Sequence, residues 1–181
     1  MRIFVSDVRR ELAAGADESE LVREVLAYAV KKHWGCAMPA IEKDGRGKPC
    51  FEGVENMHFS LSHTKTHVLV AVSDSPVGAD IETVRETKKA FERLFSPRML
   101  SDFGYFGGWT LREAVFKLRG EGKLREMDFR LEGGEIVAPF EGIHCRGYEY
   151  EGCAIAAASW KNCFPEIIEK VEPEIFCSER A

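Results

Sequence analysis

The sequence predicts an α+β fold built from two small halves, and three observations carry that expectation. Two stretches, residues 17–34 and 109–118, space their apolar side chains as helices do. Short runs with period-two alternation, bounded by Gly, Pro, Asn, Asp and Ser, occur on both sides of the middle of the chain. A break at Ser75-Pro76 leaves strands plus at least one helix on each side of it, although no strict repeat is visible. The expected division is residues 1–75, residues 76–162, and a charged tail or peripheral helix over residues 163–181, with a site between the first two units.

The elements follow in order. Residues 1–5 read as an opening strand. Asp17 or Ser19 can cap a helix in which Leu21, Val25, Tyr28 and Lys32 share a face, and Gly35 ends it. Asp44-Gly45-Arg46-Gly47-Lys48-Pro49 is a turn that holds a lysine. Residues 57–61 and 67–73 are strands around Ser62-His63-Thr64-Lys65, and a third strand starts after Pro76. Helical pattern covers residues 86–95 and 97–103, with a break expected at Gly107-Gly108 before the helix that begins at Trp109. Strands are expected near residues 128–132, 144–151 and 153–160.

Composition narrows the function. The chain has 181 residues, 45% of them hydrophobic, enough to bury a core. A net charge of −5 argues against a nucleic-acid binder, so an anionic substrate must meet a local cluster of cations. Six cysteines (Cys36, Cys50, Cys145, Cys153, Cys163, Cys177) lack any C-x-x-C pairing, which argues against a zinc knuckle. With no signal peptide recognisable, the expected setting is a reduced cytoplasm. No apolar run approaches the roughly 18 residues of a membrane span.

The chemistry concentrates in two places. Alternate residues of a strand point to one face, so Asp80 and Glu82 project together, about 6.6 Å apart along the strand, while Ile81 faces the core. On the helix from Trp109, residues Leu111, Ala114, Val115 and Leu118 form an apolar stripe. The other side carries Glu113 and Lys117 between Trp109 and Phe116. An i,i+4 ion pair on a solvated face is the commonest meaning of that spacing and contributes only ~0.3–0.5 kcal/mol. The flanking aromatics favour a site lining instead. A third carboxylate, Glu113, can complete an oxygen-rich magnesium site with Asp80 and Glu82, suited to phosphoryl-type chemistry. Lys48 and His63 are candidate phosphate donors, each also readable as an ordinary solvated lysine and a histidine satisfied by neighbouring backbone. Adjacent positions on a strand face opposite ways, which disfavours Ser62 and His63 as a nucleophilic pair.

Taken in order, these segments resemble the 4′-phosphopantetheinyl transferases, specifically the two-halved Sfp-type branch. Gly47-Lys48-Pro49-Cys50-Phe51 is similar to the family's G-K-P-x-hydrophobic motif, and Phe59-Ser60-Leu61-Ser62-His63-Thr64 to its F-x-x-S-H-S/T segment. Val77-Gly78-Ala79-Asp80-Ile81-Glu82 is similar to G-x-D-I-E, and the segment from Trp109 to Lys117, followed by Gly120-Glu121-Gly122, to W-x-x-K-E-A-x-x-K. The resemblance covers residues 47–160 well and the first forty loosely. It implies two pseudo-symmetric halves, each a small, mainly antiparallel sheet with helices, in a monomer with the active site in the cleft between them. The implied activity is transfer of 4′-phosphopantetheine from coenzyme A to a serine of an acyl or peptidyl carrier protein, releasing 3′,5′-ADP. By the same resemblance, Asp80, Glu82 and Glu113 would hold Mg2+ (or Mn2+), and Glu113, directly or through a metal-bound water, would be the base for the serine proton. Lys117 would contact the pyrophosphate, and Lys48, Ser62 and His63 would bind coenzyme A phosphates. Arg112 stands where the family has lysine, Ala79 where it has a bulkier aliphatic, and Tyr28 where members often carry a basic residue. The rival readings are another Mg-dependent phosphoryl-transfer enzyme, and a catalytically silent relative that binds coenzyme A or a carrier.

Overall fold

The computed structural model describes residues 1–172, and its secondary structure is α+β. In chain order the elements are β1 (Arg2–Asp7), α1 (Arg9–Ala13), α2 (Glu18–Trp34), β2 (Ile41–Lys43), β3 (Pro49–Phe51), β4 (His58–His63), β5 (His67–Ser73) and β6 (Val77–Thr83). Then come α3 (Lys89–Glu92), α4 (Pro97–Arg119), a 3₁₀ turn at Leu124–Glu126, β7 (Arg130–Glu132), β8 (Glu135–Val137), β9 (His144–Tyr150), β10 (Cys153–Ser159) and β11 (Glu169–Lys170).

Two larger sheets form. One has the order β11-β1-β5-β4, the other β6-β10-β9-β8-β7, and β2 pairs with β3 in a separate hairpin. All pairings are antiparallel except the short parallel contact of β1 with β11.

Three apolar clusters explain why the sheets sit together. Helix α2 lays Leu21, Val25, Leu26, Ala29 and Val30 on the first sheet, against Phe4, Val68, Val70 and Val72. Helix α4 lays Leu111, Ala114, Val115 and Leu118 on the second, against Ala156 and Ala158. The opposite faces of the two sheets share a third cluster, in which Ile3, Val5, Leu69 and Ala71 meet Val77, Ala79, Ile81, Ile155 and Ala157. Each fully buried Leu or Ile in these layers contributes about 1.5–3 kcal/mol. At the seam between edge strands β4 and β6, a side chain replaces a backbone ladder: Ser60 Oγ accepts from Ala79 N at 2.9 Å.

Local chemistry accounts for the helix ends. Asp17 accepts a hydrogen bond from Glu20 N at 2.9 Å, which makes it the N-cap of α2, and Gly35 closes the helix in the left-handed region at φ 72°. Ser96 caps α4 by accepting from Met99 N, and Gly120 ends it at φ 69°.

The break expected at Gly107-Gly108 lies elsewhere. Helix α4 runs through both glycines and kinks at Gly104, whose φ 64° and ψ −178° are accessible essentially only to glycine. Gly108 serves close packing instead, since a Cβ there would stand 2.9 Å from the Phe95 ring. The helical pattern read over residues 86–95 yields only the four-residue α3. Helix α1, the β2–β3 hairpin and β8 are short elements without an expectation from sequence. Of residues 163–181, expected as a tail or peripheral helix, the described part supplies β11, and residues 173–181 lie outside the described residues along with Cys177. The other five cysteines are free thiols. Among the described residues no helix is long and apolar enough to cross a membrane.

Candidate active site

Gly78 decides where the carboxylates sit. A Cβ at that position would lie 2.0 Å from Ala114 O and 2.5 Å from Leu118 N, so only glycine lets β6 run against the backbone of α4. This contact brings Asp80, two residues on, beside Lys117, one turn beyond Ala114.

Asp80 is 5% exposed. Its Oδ1 accepts from Lys117 Nζ at 2.7 Å and from Ser62 Oγ at 2.6 Å, while Oδ2 is buried without a partner. Lys117 Nζ also donates to Leu61 O and Ala79 O, both at 3.2 Å. The i,i+4 alternative for Glu113 and Lys117 therefore does not describe the lysine, whose hydrogen bonds run to β4 and β6.

Glu113 and Glu82 are half-buried, and both carboxyls are pushed above the ordinary glutamate value. Burial is the main cause for each, and the negative charge of Asp80 adds to it. Lys117 opposes the shift at both groups, Arg85 opposes it at Glu82, and Glu82 itself raises Glu113. The three carboxylates thus share one electrostatic environment, in which Lys117 and Arg85 offset only part of the burial and mutual charge. A divalent cation fits this donor set, because it would engage the orphaned Asp80 Oδ2 and relieve the mutual repulsion. The three do not form a closed cage. Among the described residues, the trio whose ligand atoms lie within 4.8 Å of one another is Asp7, His67 and Glu151.

Beside Lys117 opens a pocket of about 270 Å³, lined by Arg46, Gly47, Lys48, Pro49, Phe59, Ser60, Leu61, Phe116, Lys117 and Gly120. Lys48 reaches it from the turn before β3, where Asp44 Oδ1 accepts from Lys48 N and Arg46 N, both at 2.9 Å. Its Nζ donates to Val77 O at 3.0 Å, and burial lowers the lysine's pKa from its ordinary value.

Two of the phosphate-binding candidates stand differently. Ser62 is buried, with its hydroxyl proton given to Asp80. His63 is exposed and does not line the pocket; its Nδ1 is 2.8 Å from Glu18 Oε1 at the start of α2. Sequence reasoning had no role for Arg46, which lines the pocket and donates from Nη1 to Arg119 O at 2.7 Å. A second cation two residues from Lys48 in a glycine-rich turn was the available signal.

Arg112, the departure from the family pattern, faces away from the carboxylates. It is 2% exposed, donates from Nε to Met127 O at 2.8 Å and from Nη1 to Leu94 O at 3.0 Å, and stacks on Phe95 with 4.0 Å to the ring centroid. A planar fork suits two carbonyls and a ring together, so its work is structural.

No family model matches the chain. Individual relatives do. It is 32% identical over 130 residues to the 4′-phosphopantetheinyl transferase psf-1 of Bacillus pumilus, a match covering 66% of this chain and 53% of the relative. It is 28% identical over 148 residues to the 4′-phosphopantetheinyl transferase ffp of Bacillus subtilis, covering 71% and 66%. The 4′-phosphopantetheinyl transferase Sfp of Bacillus subtilis (strain 168) matches at 27% over 148 residues, with the same coverage. The chain spans between about half and two thirds of the length of these curated relatives.

Proposed function

The chain is a relative of the Sfp-type 4′-phosphopantetheinyl transferases, and from that premise we propose that it moves 4′-phosphopantetheine from coenzyme A to a serine of an acyl or peptidyl carrier protein, releasing 3′,5′-ADP. The supporting observation is Asp80, a buried carboxylate with one oxygen unpartnered, set beside two glutamates whose carboxyls are pushed up by burial and shared charge.

Asp80, Glu82 and Glu113 would hold Mg2+ (Mn2+ in its place), which supplies neutralisation of the pyrophosphate and of the leaving group. Glu113, directly or through a metal-bound water, would take the proton of the attacking serine hydroxyl. Ser62 and Lys117 fix Asp80 in position. Lys48 and Arg46 present cations to the phosphates in the pocket they share with Lys117. Lys117 reaches an anion there by exchanging one of its two 3.2 Å carbonyl bonds. His63 joins only by exchanging Glu18 for the anion. The reading includes a monomer acting in the cytoplasm.

The test is intact-mass spectrometry of a broad panel of apo carriers incubated with the purified chain, Mg2+ and coenzyme A. One added phosphopantetheine on at least one carrier is expected. Absence of any mass gain across the panel overturns transfer. Coenzyme A binding without transfer would point to a silent relative, and indifference to coenzyme A to a different phosphoryl-transfer enzyme.

A further inference from the structure

We propose that Asp7, His67 and Glu151 form a binding site for one divalent transition-metal ion, separate from the carboxylates of β6. The three come from distant parts of the sequence and from both sheets. Asp7, the last residue of β1, is directly opposite His67, the first of β5. Glu151 arrives from the tight turn between β9 and β10, where it and Gly152 both take positive φ, 44° and 77°. One ligand atom from each of the three lies within 4.8 Å of the others.

His67 makes this more than a pair of surface acids. The ring is 3% exposed, and its Nε2 is buried with no hydrogen-bond partner. Such an orphan costs roughly 1–3 kcal/mol unless something engages it. The other ring nitrogen is held: Nδ1 is 2.8 Å from Thr66 Oγ1 and 3.5 Å from Cys153 Sγ. With the proton on Nδ1 and donated to Thr66, the Nε2 lone pair points toward the carboxylates, the arrangement common to metal-bound histidines. Nε2 stands 3.7 Å from Glu151 Oε2, too far for a hydrogen bond. Two ligand atoms on a tetrahedral zinc ion stand about 3.3–3.5 Å apart, so a small turn of the half-exposed Glu151 side chain suffices.

Asp7 is engaged by Arg9 through Nε, through the shorter Nη2 contact and through its backbone N, which donates to Oδ1 at 3.1 Å. That guanidinium is 60% exposed and can swing into water, and a carboxylate has further lone pairs to offer. One imidazole with two carboxylates selects zinc or a similar transition ion over magnesium.

The site is distinct from the carboxylates of β6. Cys153, which orients the ring, pairs with Thr83, and alternation puts Thr83 on the opposite face of β6 from Asp80 and Glu82.

The test uses the whole chain, stripped with chelator and then titrated with ZnCl2 by calorimetry in excess Mg2+, which competes at the carboxylates of β6. One zinc equivalent is expected, weakened at least tenfold in Asp7→Asn and in Glu151→Gln. Asp7 is partly exposed and Glu151 exposed, so these variants carry the test without disturbing the core as a His67 replacement would. The Nε2 nitrogen signal of His67 should shift on adding zinc and stay in place on adding Mg2+. No saturable zinc binding overturns the site. So does binding that survives in the Asp7→Asn, Glu151→Gln double variant and disappears in Asp80→Asn. Neither result bears on transferase activity, because no residue of this trio belongs to the proposed catalytic set.

Discussion

At the scale of single residues, Glu113 and Arg112 show how one helix turn holds two unrelated jobs. Glu113 binds its proton more tightly in the folded protein than the ordinary glutamate value of 4.5 allows in the unfolded chain. A raised carboxyl favours folding below that value, and the contribution is lost as pH rises through the folded pKa. Cation-free Glu113→Gln is therefore expected to melt above the parent at pH 7, the gap closing below about pH 4.5. Added Mg2+ should stabilise the parent more than the variant, and phosphopantetheine transfer by the variant should vanish. Scanning calorimetry across pH, with and without Mg2+, checks the first two; a lower melting point at pH 7 would remove the burial and charge penalty at Glu113 from the account. Arg112→Lys is expected to lose one carbonyl bond and the ring stack, costing about 1.5–3 kcal/mol in urea unfolding. Activity per folded molecule should persist. A variant that folds normally and transfers poorly would place Arg112 in the site.

Two glycines dominate the element scale. Replacing Gly78 by Ala forces a Cβ onto Ala114 O and must part β6 from α4, at a cost of about 3 kcal/mol or more. Stability and transfer are expected to fall together, because the same separation draws Asp80 from Lys117; an active, fully stable Gly78→Ala protein would contradict this. Gly104→Ala meets open space, so its cost is conformational alone, about 1–3 kcal/mol. Comparing the two in denaturant melts separates steric from backbone strain. Much at this scale was legible in sequence: the N-cap, the glycine C-caps and the apolar stripe of α4 are local patterns that water and backbone geometry enforce. The helical pattern ends at Phe103, but that the next residue, Gly104, kinks the helix while Gly107-Gly108 continue it was not legible. A glycine inside a helix reads the same whether it is there for φ or for a neighbour's ring.

At the scale of the whole molecule, a segment that reads as peripheral packs onto the first sheet. β11 pairs with β1, Arg2 binds Glu169 through two bonds at 2.6 and 2.5 Å, and Val171 is 1% exposed. Removing residues 166–181 is expected to lower the melting temperature by several degrees, by exposing Val171 and the edge of β1. An unchanged melting temperature would return the segment to the role of a tail. Its charged sequence hid the contact, since a two-residue strand has no period to detect.

Sequence alone determined the alternation that puts Asp80 and Glu82 on one face, the helix that carries Glu113 and Lys117, and the order of motifs that marks the relationship. These are properties of neighbours in the chain, set by strand pleat and helix pitch. Tertiary structure decided the partners. It tied Lys117 to Asp80 and turned Arg112 inward. It drew His63 to Glu18, left Asp80 Oδ2 unpartnered, and set His67 between two acids far away in sequence. Asp80 and Glu82 thus remain a same-face pair by pleat, and Asp80 meets Lys117 only because Gly78 admits α4 against β6.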